Sequence, residues 1–385
     1  MDCYIKENGT LVDDERFIHL VRGGTYTEFT DRLDQCLDSG RVPVISDHQV
    51  LEAHLDKTRA GVLPLLESEF ATEDRKPYYI ISTSGTTGTP RLYKFTRDSV
   101  LAHTNATMKR MGYGMGTKVL SIVPPWSSYG FSLYCLKRLK GVDVCFSRPG
   151  RISSLLYFIK EEKIASLEAF PDIYRILNNH FASKPQDTVL LESVETFCSG
   201  GEKLPPAILA RFTALTGKLI LDGYGLTEAG PNVAIACRDN YRPGSVGTFL
   251  PGIEYKICDK QILHIRSPFQ GIPLGQEAEY CFINTGDIVR YDGHLEILGR
   301  YDNLIYNRGK TISPEYFEGQ FNTLFEKYNF IIRKNGKHLC LYVSEELNDQ
   351  ELARLRASTP FREVGISKIQ FSMSQGANGK TIVNL

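Results

Sequence analysis

Residues 83–91 read Thr83-Ser84-Gly85-Thr86-Thr87-Gly88-Thr89-Pro90-Arg91, directly after the apolar, β-rich run Tyr78-Tyr79-Ile80-Ile81-Ser82. Hydroxyl side chains alternate with glycines, and a single cation closes the segment. Gly85 and Gly88 permit left-handed backbone conformations and let a phosphate approach backbone N–H groups closely. Arg91 can neutralise phosphate charge. The segment therefore predicts a loop that surrounds a polyphosphate.

Two other interpretations of this loop are weaker. A polar turn after a strand is also rich in Gly, Ser and Thr, but six fixed positions match by chance on the order of 10⁻⁷ per start. A Walker A loop needs G-x-x-x-x-G-K-[ST]. The two Gly-Lys-Thr triplets of the chain begin at Gly309 and Gly379, and both lack the first glycine because Leu304 and Ser374 stand there.

Length, composition and charge indicate a cytoplasmic protein with more than one domain. The 385 residues are 42% hydrophobic and 23% charged, with a net charge of zero. No basic stripe suggests nucleic acid, and no apolar run approaches the ~18 residues of a membrane span. The first residues, Met1 to Glu7, lack the apolar segment of a signal peptide. We therefore expect neither a nucleic-acid partner nor a membrane.

Cysteine and histidine spacing gives no sign of a metal site. Nine cysteines are scattered from Cys3 to Cys340 without a C-x-x-C pair, which suggests reduced thiols rather than disulfides or zinc. The eight histidines show no metal-ligand spacing either. His103 is therefore expected to be structural rather than a ligand or a base.

Strand and helix signals alternate through the middle of the chain, and a helix is expected to begin near Thr96. Strand-like runs lie at 119–123, 142–146, 165–170 and 218–221. This alternation predicts an α/β fold with a largely parallel sheet. After about residue 241 the pattern changes to short strands and turns, which suggests a small β subdomain. We expect a large core domain over residues 1–300 and a small, mobile α+β domain over residues 301–385.

A second polar motif reads Tyr224-Gly225-Leu226-Thr227-Glu228 and follows a strand signal, where open α/β sheets bind ligands. Tyr224 could stack on a purine, Thr227 could bond a phosphate, and Glu228 could hold Mg²⁺. Taken alone, the motif is a turn followed by the start of a helix.

Three further segments carry groups suited to a nucleotide. In Thr285-Gly286-Asp287, an aspartate after a glycine turn can accept hydrogen bonds from both ribose hydroxyls, although an ordinary turn is the simpler interpretation. Gly299-Arg300-Tyr301-Asp302 supplies a cation and a candidate hinge. Asn378-Gly379-Lys380 offers an ammonium that would, taken alone, be a solvated surface charge.

In this order the motifs resemble those of the AMP-forming adenylating superfamily, which includes acyl-CoA synthetases, peptide-synthetase adenylation domains, aryl-acid activating enzymes and luciferases. The resemblance runs from about Tyr78 to Lys380. Beyond the motifs above it includes Ser199-Gly200-Gly201-Glu202-Lys203-Leu204, Gly244-Ser245-Val246-Gly247, Leu250-Pro251-Gly252 and Arg308-Gly309-Lys310-Thr311-Ile312-Ser313-Pro314 with Glu318.

The resemblance implies a two-step reaction that uses ATP and Mg²⁺. A carboxylate attacks the α-phosphate and gives an acyl-adenylate and pyrophosphate, and a thiol then displaces AMP. It implies catalytic roles for Lys380, Thr227, Glu228 and Arg300, with Glu228 as the metal ligand and Asp302 as the hinge. The nucleotide would contact Thr83, Ser84, Gly85, Thr86, Thr87, Gly88, Arg91, Gly201, Glu202, Asp222, Gly223, Tyr224, Gly225, Thr227, Asp287, Arg300 and Lys380.

The chain departs from the family pattern at four places. Arg91 closes the phosphate loop where Lys is usual, which keeps the charge and changes its geometry. Asp222 stands where Asn or Gln is common, and Tyr306 stands where many members have Lys. The segment before the phosphate loop is short, so we expect a reduced N-terminal subdomain.

The substrate predicted from the pocket motif is a carboxylic acid without an α-amine. In amino-acid activating relatives an aspartate pairs with the ammonium, whereas Ser127 or Ser128 stands there in this chain and no carboxylate is near in sequence. An aryl or medium-size acid is favoured, although Trp126 could equally be a core residue. The pocket is expected to be lined by Trp126, Ser128, Tyr129, Gly130, Phe170, Gly200 and Gly225.

The acceptor thiol would belong to CoA or to the phosphopantetheine of a carrier protein. No basic cluster marks a CoA 3′-phosphate site, and the compact chain resembles loading enzymes of secondary-metabolite pathways, so an acyl or aryl carrier protein is favoured over free CoA. A luciferase-like oxidation would begin with the same adenylate. A non-catalytic nucleotide-binding protein is the alternative of another class, and it is disfavoured because Thr227, Glu228, Asp287, Arg300 and Lys380 occur together.

Overall fold

The computed structural model describes residues 17–21, 24–46, 76–83, 91–276, 281–307, 310–325, 328, 330–335, 338–371, 373–375 and 381–383. The predictions made for the interior of the phosphate loop and for the C-terminal lysine lie outside these residues, namely those for Ser84, Gly85, Thr86, Thr87, Gly88 and Lys380. No helix in the described ranges combines the length and the apolar character needed to cross a membrane.

Helices begin and end where the sequence supplies caps. Thr96 accepts a hydrogen bond from Ser99 N at 3.3 Å, which confirms the helix start predicted near this residue. Gly112 and Gly141 end two helices in the left-handed conformation, with φ of 69° and 66°. The described α-helices are α1 Tyr26–Asp38, α2 Arg97–Met111, α3 Ser128–Lys140, α4 Ile152–Glu161, α5 Pro171–Ser183, α6 Pro206–Thr216, α7 Pro314–Leu324, α8 Asp349–Ala357 and α9 Thr359–Val364.

The described strands form six sheets. In chain order they are β1 Phe17–Val21, β2 Val42–Ser46, β3 Tyr79–Ser82, β4 Leu92–Phe95, β5 Lys118–Ser121, β6 Asp143–Phe146, β7 Ser166–Ala169, β8 Thr196–Ser199, β9 Ile220–Tyr224, β10 Ala234–Ile235, β11 Thr248–Phe249, β12 Glu254–Ile257, β13 Ile262–Arg266, β14 Ile272–Pro273, β15 Ile283–Tyr291, β16 Leu295–Arg300, β17 Ile305–Asn307, β18 Lys310–Ile312, β19 Phe330–Asn335, β20 His338–Val343, β21 Lys368–Gln370, β22 Met373–Gln375 and β23 Thr381–Val383.

The largest sheet is seven-stranded, in the order β11-β10-β9-β8-β7-β5-β6, and the pairs from β9 to β6 are parallel. Leu120 and Leu167 pack with residues of α4, α5 and α6, while Val119 and Val144 pack with residues of α3. Helices therefore cover both faces, as a parallel sheet requires. This is the α/β architecture that the alternating sequence pattern predicted.

Strand β9 is longer than the sequence indicated. The strand-like run in the sequence ends at residue 221, but the strand continues to Tyr224. The reason is the antiparallel return of β10, in which Ala234 pairs with Tyr224 and Ile235 with Gly223. The nucleotide-type motif therefore begins inside a strand and turns only after Tyr224.

A five-stranded sheet, ordered β1-β2-β3-β4-β14, holds the two ends of the phosphate loop. β3 and β4 are antiparallel, so Thr83 and Arg91 come together at the end of the hairpin where its connecting loop begins and ends. Thr83 N donates to Arg91 O at 2.9 Å, and Arg91 N donates to Thr83 Oγ1 at 3.3 Å. The loop of residues 84–90 thus starts and finishes at one point of the sheet.

The expected small β subdomain is a four-stranded antiparallel sheet, β12-β13-β15-β16. Asp287 was predicted to follow a glycine turn, but it lies inside β15, opposite Arg300 of β16. The ladder to β13 is irregular here, since Ile262 pairs with Ile288 while His264 pairs with Asn284. Gly286 absorbs this irregularity with a φ of 71°. The glycine therefore serves a bulge rather than a turn.

The C-terminal region has its own hydrophobic cluster. Phe321 of α7, Phe330 of β19 and Leu341 of β20 form its centre, and Leu355 and Val364 add residues from α8 and α9. β19, β20 and β21 form one sheet. The arrangement is the small α+β unit that the sequence predicted, while its boundary at residue 301 and its mobility stay predictions.

Candidate functional site

Three polar groups from two sheets meet beside β9. The Tyr224 hydroxyl donates to Asp287 Oδ2 at 2.5 Å, and Arg300 Nη1 lies 3.4 Å from Asp287 Oδ1. Asp287 is 63 positions from Tyr224 and 13 from Arg300 in the chain. The structure thus brings together three residues that the sequence assigned to nucleotide binding.

Burial controls the electrostatics of this group. Asp287 is 5% exposed, and burial raises its pKa, against the Tyr224 hydrogen bond and the Arg300 charge, which lower it. Burial and the Asp287 charge raise the pKa of Tyr224 well above its ordinary value, so its hydroxyl keeps the proton and donates. The carboxylate has lone pairs left for two further donors, such as the two hydroxyls of a ribose.

Asp222 lies on β9, two residues before Tyr224. Gly223 N donates to Asp222 Oδ1 at 3.1 Å. Burial raises the pKa of Asp222 to about 8, against backbone hydrogen bonds from Gly223 and Leu204 and the charge of Lys203, although the residue keeps part of its surface exposed. At neutral pH it is mostly a carboxylic acid, with one donor and acceptor oxygens, as in an amide. Its donor and acceptor pattern therefore matches the Asn or Gln that is common at this position.

Thr227 and Glu228 lie in a 3₁₀ turn, Thr227–Ala229, that follows β9. A Cβ on Gly225 would lie 1.7 Å from Pro231 O, so only glycine allows the chain to pass here. Thr227 Oγ1 donates to Ser128 Oγ at 3.0 Å. The turn therefore joins a residue assigned to phosphate to a residue assigned to the acid pocket.

Glu228 and Arg91 both lie beside Tyr93 of β4. Burial and the Glu228 charge raise the pKa of Tyr93, while a hydrogen bond with Arg91 lowers it. Gly271 N donates to the backbone oxygen of Glu228 at 2.9 Å and fixes the turn from the other side. The predicted metal ligand thus stands near the mouth of the phosphate loop.

The carboxylate of Glu228 suits a magnesium ion that is bound together with the phosphates of a nucleotide. The described part of the chain contains no group of three or more His, Cys, Asp or Glu residues that could hold a metal by themselves. Mg²⁺ in proteins commonly takes one or two carboxylates and completes its shell with phosphate oxygens and water. A single carboxylate, that of Glu228, is sufficient for this kind of coordination.

Two of the residues predicted to line the acid pocket, Tyr129 and Phe170, lie against the glycine backbone of Gly200 and Gly201. The rings of Tyr129 and Phe170 are edge-to-face, with centroids 6.5 Å apart. A Cβ on Gly200 would lie 3.2 Å from the Tyr129 ring, and one on Gly201 would lie 2.9 Å from the Phe170 ring. Glycine therefore lets both rings approach the backbone after β8. Glu202, next along this segment, is partly buried.

Two other predicted pocket residues have structural contacts. Trp126 is 3% exposed and packs edge-on against Tyr26 and Phe29 of α1, at 5.1 and 5.3 Å. These contacts favour the core alternative that the sequence left open for Trp126. A Cβ on Gly130 would lie 2.0 Å from Pro124 O, so Gly130 lets α3 pack closely on the segment before it.

Glu168 is a buried residue of this region that sequence reasoning missed. It is 2% exposed on β7, where Tyr129 donates to its Oε2 at 2.5 Å and Tyr113 donates to its Oε1. Burial raises its pKa, against the two tyrosine hydrogen bonds. The available signal was a glutamate within an apolar strand run, since a glutamate is almost never fully buried unless paired.

The candidate hinge lies where α7 meets β16. Asp302 is exposed in the 3₁₀ turn Tyr301–Asn303 and lies 3.4 Å from Arg300 Nη2. Asn303 Nδ2 donates to Glu315 Oε1 at 2.6 Å, and a Cβ on Gly299 would lie 3.1 Å from Glu315 Oε2. The start of α7 therefore rests on the strand that carries Arg300.

Solved structures of similar fold identify the class of fold to which this chain belongs. An anthranilate CoA ligase in complex with anthranoyl-AMP matches with a TM-score of 0.71 at 18% identity, over 94% of this chain and 84% of that one. The o-succinylbenzoate CoA synthetase of Bacillus subtilis in complex with its acyl-adenylate matches with a TM-score of 0.71 at 18% identity, over 94% and 86%. The fold is that of the adenylating enzymes.

The family follows from the sequence match. Residues 20–269 match the family model described as AMP-binding enzyme, and the chain belongs to this family. The long-chain-fatty-acid–CoA ligase of Escherichia coli O6:H1 is 25% identical over 268 residues, which cover 61% of this chain and 46% of the ligase. The mitochondrial malonate–CoA ligase of Bos taurus is 30% identical over 202 residues, which cover 49% and 34%. The chain spans about half the length, or less, of these curated relatives.

Proposed function

We propose that this protein is an AMP-forming acid–thiol ligase. It would activate a carboxylic acid with ATP as acyl-AMP, release pyrophosphate and pass the acyl group to a pantetheine thiol. One observation carries the proposal: the short stretch from Tyr224 to Thr227 contacts Asp287 at one end and Ser128 at the other. The groups suited to ribose and those suited to the acid are therefore held at a fixed separation.

In the first step, a carboxylate oxygen of the acid forms a bond to the α-phosphorus, and the bond to the pyrophosphate oxygen breaks. Asp287 would bind the ribose hydroxyls, with Arg300 and Tyr224 holding its carboxylate. Thr227 would donate to an α-phosphate oxygen, and Arg91 would face the outer phosphates. Glu228 would hold Mg²⁺, which neutralises phosphate charge when bound. Two anions then meet without the full cost of their repulsion.

In the second step, a thiolate attacks the acyl carbon and AMP leaves with the bonding electrons. We propose that residues 301–385 form the mobile domain and rotate at Asp302 between the two steps. Lys380 would contact the carboxylate and the α-phosphate only during the first step. The short contacts between α7 and β16 would be exchanged in this rotation.

The acid that fits best is planar and has no α-amine. Tyr129 and Phe170 offer ring surfaces beside glycine backbone, which suits an aromatic acid. Glu168 is the carboxylate to which Tyr129 donates a hydrogen bond. Each of its two oxygens already accepts a tyrosine hydroxyl, from Tyr129 and from Tyr113. It is therefore poorly placed to pair with a substrate ammonium.

For the acceptor, two thiols remain in the proposal. The curated relatives are named as CoA ligases, which favours free CoA as the first thiol to test. The carrier protein that the sequence favoured is the second. Parallel reactions with CoA and with a phosphopantetheinylated carrier protein separate them by which thiol becomes acylated.

ATP–pyrophosphate exchange across amino acids, benzoates and fatty acids tests the proposed function. We expect exchange with an aromatic acid, and a loss of about 100-fold in Lys380→Ala with ATP binding retained. Lys368→Ala, at an exposed lysine of β21, is the matched control and should stay within about twofold. Exchange with amino acids alone would contradict the choice of acid. ATP binding without exchange on any acid would favour a non-catalytic nucleotide-binding protein.

A further inference from the structure

We infer that His103 is a positioning residue for the turn that carries Thr227 and Glu228, an inference that rests on the proposed function of that turn. His103 lies on α2 and is 4% exposed. Its Nε2 accepts a hydrogen bond from Asn232 N at 3.1 Å. Asn232 belongs to the segment that leads from the turn into β10. His103 therefore holds the chain just after the proposed phosphate and metal ligands.

A second residue of α2 binds the same asparagine. Asn232 Nδ2 donates to Thr107 Oγ1 at 3.2 Å, and Thr107 Oγ1 lies 3.4 Å from His103 Nε2. Positions 103 and 107 are one helical turn apart and share a face of α2. This face therefore holds both the backbone and the side chain of Asn232.

The position of Asn232 is coupled directly to the start of the turn. A Cβ on Gly225 would lie 1.7 Å from Pro231 O and 3.1 Å from the Asn232 Cα, so the two backbones are in contact. Val233 N also donates to Tyr224 O at 2.9 Å. Both ends of the turn are thus fixed to each other, and a shift of Asn232 must move the chain between them. Thr227 and Glu228 lie in that stretch.

The imidazole suits this role because it stays neutral. Burial lowers the pKa of His103 to about 4. The bond from Asn232 N assigns the proton of the neutral ring to Nδ1 and leaves Nε2 as the acceptor. The ring of Phe269 packs edge-on at 5.5 Å and limits its rotation. The acceptor is therefore oriented as well as neutral.

Three variants separate positioning from simple core packing. His103→Leu removes the acceptor at similar volume, and His103→Gln restores an acceptor at the Nε2 position. Thr104→Val is the matched control: Thr104 is 1% exposed on the same helix, and its hydroxyl donates only within α2, to Val100 O at 2.7 Å. For each variant, the KM values for MgATP and for the acid, the Mg²⁺ dependence of exchange and the urea unfolding midpoint are measured.

We expect His103→Leu to raise the KM for MgATP about tenfold and to shift the Mg²⁺ dependence, with the KM for the acid within about twofold. His103→Gln should recover most of the loss, and Thr104→Val should lower stability without changing either KM. Equal stability losses in His103→Leu and Thr104→Val with an unchanged KM for MgATP would overturn the inference. So would His103→Gln behaving like His103→Leu.

Two further measurements keep the test decisive. If His103→Leu does not fold, Thr107→Val removes the hydroxyl bound by Asn232 at similar shape and should raise the KM for MgATP by a smaller factor; no increase overturns the inference. If the wild type exchanges no pyrophosphate, calorimetric titration with MgATP compares the same variants. Failure of the proposed function then shows in the wild type, while failure of the inference shows as equal MgATP affinity in wild type and variants.

Discussion

The proposed nucleotide end and the proposed acid end of the site are built in different ways. At the nucleotide end, a buried carboxylate, Asp287, is held by a tyrosine and a guanidinium from neighbouring strands. At the acid end, the Tyr129 and Phe170 rings lie against glycine backbone, and Glu168, the carboxylate that Tyr129 contacts, accepts a tyrosine hydroxyl at each of its oxygens. One end offers charge, and the other offers shape.

This difference determines what each end can discriminate. A buried charged group that is left unpaired costs much more than a missing methylene in an apolar pocket. The nucleotide end should therefore reject altered ligands strongly, while the acid end should select acids mainly by size and planarity. Substitutions at the two ends should differ in magnitude in the same way.

The largest effect is expected from Asp287→Asn. It removes the buried anion beside Arg300, leaving the exposed Asp302 as its partner, and turns an amide donor toward either Arg300 or the Tyr224 hydroxyl. Losing such a charged bond corresponds to about 100-fold in kcat/KM for ATP, with the KM for the acid little changed. Steady-state exchange kinetics measure both quantities.

Asp292→Asn is the matched control for that variant. Asp292 follows β15 and forms an ion pair with Arg242 at 2.7 Å. The Asp292 side chain is 50% exposed in this pair. Exposed pairs contribute little, so kcat/KM for ATP should stay within about twofold. A similar loss in the two variants would show that charge at Asp287 has no special part in nucleotide binding.

An intermediate effect is expected at the acid end from Gly200→Ala. The new Cβ would lie 3.2 Å from the Tyr129 ring and push it into the pocket. The KM for an aromatic acid should rise about tenfold, the KM for ATP should not change, and smaller acids should be affected less. Gly114→Ala, where nothing lies within 4 Å of the new Cβ, is the control. If ATP and acid are affected alike, the two ends are not separate.

The smallest effect is expected from Asp222→Asn, and it depends on pH. As the pH rises through about 8, the wild-type side chain loses its proton and its donor, so the KM for ATP should rise about threefold between pH 7 and 9. Asp222→Asn keeps the donor and should give a flat profile. A parallel rise in both proteins would place the titrating group elsewhere.

The same titration has a defined effect on stability. Since the folded-state pKa of Asp222 is above its ordinary value, the native protein binds more protons than the unfolded chain between the two values. The contribution of this proton to stability is therefore present at low pH and is lost as the pH rises through about 8. Urea unfolding from pH 5 to 9 should show a flatter profile in Asp222→Asn.

The residues proposed for the nucleotide end could be selected from the sequence because they lie in short motifs. Tyr224, Asp287 and Arg300 were each identified from local spacing, and the fold unites them. Their local structure was less predictable: Asp287 was expected after a glycine turn, but pairing with β16 keeps it in a strand. Hydrogen bonds from distant partner strands decide that outcome, and local propensity does not contain them.

The acid end was less predictable because distant residues set its shape. Glu168 and Tyr113 are 39 and 16 positions from Tyr129, and only the tertiary fold joins the three side chains. His103 was expected to be a structural residue, but its hydrogen bond to Asn232 spans 129 positions and left no local pattern in the sequence. Short motifs therefore indicate which chemical groups are present, whereas packing against residues distant in sequence determines where those groups lie.

The hairpin that joins Thr83 to Arg91 has an entropic consequence for the loop between them. The two ends of residues 84–90 are brought together when β3 and β4 pair during folding. The loop-closure entropy is therefore lost when the hairpin forms, before any polyphosphate arrives. The entropic cost of bringing the two ends of the loop together would therefore not reduce the affinity for the phosphates.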